Sequence, residues 1–220
     1  MTEDQARHEV CRVGRSLFER GYVHGTAGNI SVRLDDGYLI TPTDACLGFL
    51  DPAGLARVGA DGELRSGPRP SKTLALHRAI YDATASAPEP ARCVIHTHST
   101  HCVALSLAVE ARGEWLPALT PYFVMKVGRV PLLPYRRPGD PATATAVAQT
   151  IAEQSGAGRT VRAVMLARLG PNVWHRSPAD AMAVLEELEE TARLAVLVPS
   201  APVLSLAQID ELRRSFGATW

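Results

Sequence analysis

Ala91-Arg-Cys-Val-Ile-His-Thr-His-Ser-Thr-His-Cys-Val-Ala-Leu105 passes from an apolar run to a helical pattern, with histidines at the junction. The run Cys93-Val94-Ile95 predicts a buried strand, and the residues around Val103 predict a helix that starts shortly after it. His96 and His98 lie two positions apart, so on a strand both imidazoles point to the same face. A strand end that meets a helix N-terminus is a common location for a metal or an anion. The stretch therefore predicts a two-histidine site, either with a metal or as a polar pocket without one.

Length, composition and charge limit the class of protein. For 220 residues we predict a single domain that spans residues 1–220. Because the 23 basic and 23 acidic residues balance, net charge gives no reason to expect a nucleic-acid partner. An apolar content of 46% and a charged content of 21% are typical of a globular protein that acts on a small molecule or another protein.

The sequence pattern contains no targeting signal and no membrane span. The polar start, Met1–Gln5, does not have the pattern of a signal peptide. No apolar run approaches the roughly 18 residues that cross a bilayer. The four cysteines show no Cys-x-x-Cys spacing and are expected to be free thiols, with Cys93 and Cys102 buried. We therefore predict a cytoplasmic protein without a membrane partner.

Helix and strand patterns alternate along the chain. Asp35-Asp-Gly37 predicts a hairpin between strands at 29–34 and 38–41. Since some strands are joined by hairpins and others by helices, we predict an α/β fold, a three-layer α/β/α sandwich with a central mixed, mainly antiparallel sheet. Apart from the helix after His98, the predicted helices are 3–20, 73–84, 141–154, 178–198 and 204–216. A solvated acidic face is predicted on the fourth of these, formed by Glu186, Glu187, Glu189 and Glu190.

Three polar loops precede strands or helices, at His24–Arg33, Thr41–Asp44 and Gly67–Thr73. Such loops expose several backbone N–H groups and can hold an anion, although each is also compatible with an ordinary turn. The third loop leads into a helix for which Ser71 is the expected cap. His77, inside that helix, is expected to be a core histidine and not a ligand.

The order of these loops and of the His-x-His pair resembles the class II aldolase/adducin-head family. The matching stretches are Thr26-Ala-Gly-Asn-Ile-Ser-Val-Arg33, Thr41-Pro-Thr-Asp44, Pro70-Ser-Lys72 with His77, and His96-Thr-His98. The second half of the chain looks like the 3-oxo-tetronate 4-phosphate decarboxylase branch of this family. Its matching stretches are His98-Ser-Thr-His101, Leu119-Thr-Pro-Tyr-Phe-Val-Met-Lys-Val-Gly128, Pro134-Tyr-Arg-Arg-Pro-Gly-Asp140 and Glu186-Glu-Leu-Glu-Glu-Thr-Ala192. The resemblance covers about residues 5–200.

The resemblance implies which residues form the active site. His96 and His98 would bind a metal, and Tyr122 would be a proton donor or only a wall of the pocket. The residues expected to bind a phosphate or carboxylate of the substrate are Gly28, Asn29, Thr43, Ser71 and Lys72.

The resemblance also implies a cofactor, a substrate class and an assembly. The cofactor is a divalent metal, usually zinc with iron or manganese as alternatives, held by three histidines and a glutamate. The substrate is a small sugar acid or keto acid, with or without a phosphate, and the assembly is a homotetramer with active sites at subunit interfaces. Cleavage or decarboxylation of such a substrate leaves an enolate, whose charge a Lewis-acid metal stabilises.

Two positions depart from the family pattern. Thr73 stands where the family has an acid/base glutamate, and a threonine hydroxyl is too weak an acid or base to replace it. Leu169 stands where the family has the third histidine, so only two of the expected histidines remain, whereas zinc normally has three or four protein ligands. The candidate replacement ligands are His24, Asp44 and His101, with His175 expected to lie too far along the chain.

Three functions are compatible with this pattern. The first is a class II aldolase-like carbon–carbon lyase of aldolase or decarboxylase type with an altered active site. The second is a metal-free enzyme in which Lys72 and Arg168, which replaces a family asparagine, are the catalytic residues. The third is a non-catalytic binding module, as in adducin heads. The retained His-x-His pair and Lys72 favour an enzyme.

Overall fold

The computed structural model describes residues 1–108 and 115–220. Its α-helices are α1 (Glu3–Glu19), α2 (Leu74–Ala83), α3 (Thr100–Ala108), α4 (Pro141–Gly156), α5 (Pro178–Leu197) and α6 (Leu206–Phe216). Its strands are β1 (Asn29–Leu34), β2 (Gly37–Ile40), β3 (Ala56–Gly59), β4 (Leu64–Ser66), β5 (Cys93–His96), β6 (Leu132–Leu133), β7 (Ala163–Leu166) and β8 (Gly170–His175). The five helices predicted with bounds are confirmed to within two residues at each end. Among the described residues, no helix combines the length and apolar character that a membrane crossing requires.

The strands form one sheet in the order β4-β3-β2-β1-β5-β8-β7-β6. Every neighbouring pair is antiparallel except β6 and β7, which are parallel. The predicted mixed, mainly antiparallel sheet is therefore confirmed. The predicted hairpin is also confirmed, since Leu34 pairs with Gly37 across the turn between β1 and β2.

Helices cover both faces of the sheet and give the predicted three layers. On one face, α1, α3 and α5 pack against side chains such as Ile30 and Ile95. On the other face, α2 and α4 pack against Val94 and Trp174. Burial of one such aliphatic side chain stabilises the fold by about 2 kcal/mol. Because β5 alternates between the two cores, its last residue, His96, lies on the α2/α4 side.

The start of β8 requires a glycine. Gly170 has a φ of 141°, and a Cβ atom there would lie 1.9 Å from the carbonyl oxygen of Thr97. The chain just after β5 therefore runs directly against the start of β8. This contact places Pro171 and Asn172 beside His96.

One acidic residue of α5 contradicts the prediction of a solvated face. Glu189 is only 3% exposed. Its carboxylate accepts hydrogen bonds from the backbone N–H groups of His101 and Cys102, each at 3.0 Å, and from His101 Nδ1 at 2.8 Å. The first N–H groups of a helix lack partners within the helix, and here a side chain from another helix supplies them. Glu189 is thus a buried cap of α3.

Candidate active site

The polar loops and the two histidines meet in one cleft. The cleft has a volume of about 400 Å³, which suits a small molecule, and it includes the N-terminal ends of α2 and α4. All residues predicted to bind an anion or a metal line it, namely Gly28, Asn29, Thr43, Ser71, Lys72, His96 and His98.

His96 is held in one tautomer by the start of β8. Its Nδ1 lies 2.9 Å from the carbonyl oxygen of Pro171, which can only accept a hydrogen bond, so Nδ1 carries the proton. Burial lowers the pKa of His96 to about 4, and the nearby His98 acts in the same direction against the hydrogen bond to Pro171. The imidazole is therefore neutral near pH 7, and its Nε2 lone pair is available.

His98 lies between two other imidazoles. Its ring centroid is 5.0 Å from that of His96 and 6.4 Å from that of His24. Burial lowers the pKa of His98, and the proximity of His24 lowers it further. The alternate spacing therefore brings both predicted histidines into one cleft, with His24 at its edge.

The second and third polar loops are joined by backbone hydrogen bonds. Thr43 N–H donates to Arg69 O at 3.0 Å, and Ser71 N–H donates to Thr41 O at 3.1 Å. Between these two hydrogen bonds, Pro42 and Pro70 lie opposite each other in an isolated antiparallel β-bridge. Segments that are distant in sequence therefore present Thr43 and Ser71 to the cleft together.

The first loop reaches the cleft because it contains Gly28. This residue has a φ of 85°, and a Cβ atom there would lie 2.8 Å from the carbonyl oxygen of His96. The next residue, Asn29, pairs with His96 across β1 and β5 and is 6% exposed. Its Oδ1 has no hydrogen-bond partner among the described residues. A buried amide oxygen without a partner is unusual and indicates a place for a ligand or a water.

The start of α2 differs from the prediction for Ser71. Thr73 occupies the N-cap position, and its side chain makes no capping hydrogen bond. Because the chain turns between Ser71 and Leu74, the Ser71 hydroxyl reaches only Thr73, with its Oγ 2.9 Å from Thr73 Oγ1. The Ser71 cap is therefore a wrong prediction, and its hydroxyl faces the cleft instead.

Two residues predicted to be catalytic lie outside the cleft of their own chain. Tyr122 is 60% exposed and lines a separate acidic depression with Glu186 and Glu190. Arg168 is exposed, has a φ of 66°, and donates its backbone N–H to Ser106 Oγ at 3.0 Å. A catalytic role for either residue stays a prediction.

The prediction also missed part of the cleft wall. Arg137 and Thr143, on either side of the start of α4, line the cleft together with Leu76 and Leu166. The turn before α4 was visible in the sequence as a basic segment, Tyr135–Asp140. Nothing local in the sequence connects that segment with β5, because the connection depends on α4 packing against α2.

The side chains of the cleft do not form the inherited metal site. The described residues contain no group of three or more His, Cys, Asp or Glu side chains that could hold a metal ion. Thr73 and Leu169 line the cleft, and neither is a ligand that zinc prefers. His101 is bound to Glu189, and His175 lies at the far end of β8, opposite Cys93. His101 is thus excluded as a replacement ligand, whereas His24 lies beside His98 and Asp44 lines the cleft.

The sheet and its two helical layers are those of class II aldolases. An L-fuculose 1-phosphate aldolase structure superposes with a TM-score of 0.81 over 97% of this chain and 96% of its own, at 22% identity, which shows the fold. Residues 8–196 match the model of the Class II Aldolase and Adducin N-terminal domain. The chain belongs to this family.

Several relatives cover the whole chain. A 3-oxo-tetronate 4-phosphate decarboxylase from Cupriavidus necator is 55% identical, over 100% of this chain and 99% of its own. One from Escherichia coli is 42% identical, over 96% of each chain. The crystal structure of YgbL from Klebsiella pneumoniae has a TM-score of 0.83 at 40% identity, over 97% of this chain and 100% of its own. The predicted class, a lyase of aldolase or decarboxylase type, is confirmed at this level.

Proposed function

We propose that the protein is a carbon–carbon lyase of decarboxylase type that acts on a small phosphorylated keto acid and forms an enolate. The observation that carries this proposal is the convergence of three polar loops on the cleft that contains His96 and His98. The names of the relatives supply the first candidate substrate, 3-oxo-tetronate 4-phosphate.

The loops provide binding energy at a distance from the reacting carbons. Lys72 is exposed at the cleft and forms no ion pair in the described part of the chain. Together with the hydroxyls of Thr43 and Ser71 and the positive end of α2, its ammonium group suits a phosphate. A phosphate held there orients the rest of the substrate towards His96 and His98.

Thr73 favours decarboxylation over aldol cleavage. Aldol cleavage requires a base that removes the proton of a β-hydroxyl group, and Thr73 is not such a base. Decarboxylation of a β-keto acid needs no base. Its carboxylate leaves as carbon dioxide, the bonding electron pair forms the enolate, and a proton then adds to carbon. Loss of the acid/base glutamate is therefore less damaging to a decarboxylase.

A bound metal, an interface active site and a cytoplasmic location are further proposals. When bound, a divalent metal such as zinc would stabilise the enolate charge, with His96 and His98 as its protein ligands. Two histidines do not fit a complete zinc site, so any metal in the wild-type cleft is expected to be weakly bound. Tyr122 and Arg168 are exposed, so any role in catalysis is proposed in the active site of a neighbouring subunit. A cytoplasmic location stays a prediction from the sequence.

Turnover tests the proposed function, and the Lys72→Gln variant tests the proposed phosphate site. Wild-type protein is expected to release carbon dioxide from 3-oxo-tetronate 4-phosphate. Lys72→Gln is expected to lower kcat/KM by about 10- to 100-fold, the loss of one charge-assisted contact to phosphate. Arg159→Gln is the control, since Arg159 is an exposed cation that lines neither the cleft nor the depression around Tyr122. No release by wild-type protein, or equal effects of both variants, would refute the proposal.

The proposed homotetramer has a direct test. Size-exclusion chromatography with light scattering is expected to give four times the mass of one chain. A Tyr122→Asp variant is expected to give a smaller species if the tyrosine lies at the interface, because a buried charge without a partner is costly. A monomeric wild-type protein would contradict the tetramer and the interface role of Tyr122.

A further inference from the structure

We propose that Arg137 binds a second anionic group of the substrate, so that the cleft selects molecules that are anionic at both ends. The inference rests on the proposed function for the location of the site and for the two anionic ends of the substrate, and it adds the residue that binds the second end. Arg137 lines the cleft from the α4 side, whereas Ser71 and Lys72 line it from the start of α2.

The backbone of Arg137 is held in a short turn. Asp140 N–H donates to Arg137 O at 3.1 Å, and Gly139 in the turn has a φ of 77°. Pro138 restricts the turn further, because its ring fixes φ. Asp140 Oδ1 then caps α4 by accepting from Ala142 N–H at 2.9 Å. The arginine is thus presented from a fixed backbone while its side chain stays exposed.

Arg137 lacks the partners that many other arginines have. It forms no ion pair in residues 1–108 and 115–220, and neither does Lys72, the other basic residue of the cleft. Asp44 and Asp140 also line the cleft, but neither pairs with these cations, and Asp140 is engaged at the start of α4. Arginines that do form an ion pair are Arg7, Arg12, Arg20, Arg33, Arg57, Arg65, Arg92, Arg162, Arg176, Arg193 and Arg213.

The electrostatic field of the cleft suits an anionic ligand, and one buried acceptor indicates a place for a hydrogen-bond donor such as a hydroxyl group or a water. The N-terminal ends of α2 and α4 both contribute to its wall, and helix N-termini carry partial positive charge. Independently, the 94% buried Asn29 has an Oδ1 without a partner in the described structure and lines the same cleft, which indicates a bound polar molecule. Two separated cations then suit two anionic groups on one short carbon chain. A guanidinium binds a carboxylate or a phosphate through two parallel hydrogen bonds.

Two probes that differ in one group test this inference by calorimetry. 3-Phosphoglycerate carries a phosphate and a carboxylate, whereas glycerol 3-phosphate has a neutral hydroxymethyl group in place of the carboxylate. Wild-type protein is expected to bind 3-phosphoglycerate about tenfold more tightly, the effect of one charge-assisted contact. Arg137→Gln is expected to remove this preference, and Arg137→Lys to retain part of it.

The control is Arg136→Gln, an exposed neighbour that does not line the cleft, and it is expected to leave the preference unchanged. If Arg137→Gln weakens the binding of both probes equally, Arg137 contacts the phosphate that they share, and the inference of a second anion site is overturned. Wild-type affinities in Arg137→Gln, or no binding of either probe by wild-type protein, would overturn the inference. Binding that depends on Arg137 without turnover of the oxo-acid would refute only the proposed function.

Discussion

A double variant, Leu169→His with Thr73→Glu, is expected to carry about one zinc ion per chain when purified without chelator. Wild-type protein is expected to carry far less. The reason is the number of donors: His96 and His98 offer two nitrogens, and the two substitutions add a third nitrogen and a carboxylate from residues that line the same cleft. Elemental analysis and the shift in melting temperature on adding zinc are the measurements.

The control for the metal prediction removes one original ligand. Adding His98→Ala to the double variant is expected to return the zinc content to the wild-type level. If wild-type protein already contains one tightly bound ion, His96 and His98 are not the only ligands in the cleft. His24 or Asp44 must then complete the metal site. If the double variant folds but binds no zinc, the assignment of positions 73 and 169 from the resemblance is wrong.

Glu189→Ala is expected to lower the free energy of unfolding by about 3 kcal/mol, because three hydrogen bonds to a buried carboxylate are lost. Two of those bonds satisfy the first N–H groups of α3, which have no other partner there. Glu189→Gln keeps one acceptor oxygen and is expected to lose less. Urea unfolding followed by circular dichroism measures both changes.

Glu190→Ala is the matched control for this stability effect. Glu190 is the next residue of α5 and is largely exposed, and it contacts Tyr22 and Arg193 at the surface. Its removal is expected to change stability by less than about 1 kcal/mol. Similar losses in Glu189→Ala and Glu190→Ala would contradict the special role of the buried carboxylate.

Local patterns in the sequence were sufficient for much of the fold. The hairpin at Asp35–Gly37 and the helices follow from turn chemistry and apolar spacing, which act over a few residues. Glu189 was misplaced because it stands among other glutamates. Its position four residues after the buried Leu185 placed it on the apolar side of α5, a signal that the acidic run concealed.

Residues of the candidate site could be predicted only where a local sequence pattern indicated them. The alternate spacing of His96 and His98 was enough to predict that they share a site. The polar loops were enough to predict the residues that bind an anion. Arg137 could not be found this way, because its place in the cleft depends on how α4 packs on α2. Tyr122 and Arg168 were assigned from the resemblance, and the contacts within one chain do not bring them to the cleft.

The hydrogen bond between His96 and Pro171 limits the orientations that a substrate can adopt in the cleft. With its proton committed to a carbonyl, this imidazole offers only a lone pair, so it accepts from a hydroxyl group and repels a carboxylate. Lys72 and Arg137 are positively charged donors, so they favour a carboxylate or a phosphate. A substrate with an alcohol in the middle and charges at its ends can therefore satisfy all three groups in few orientations. A molecule with an anionic group in the middle cannot, because that group would face the lone pair of His96.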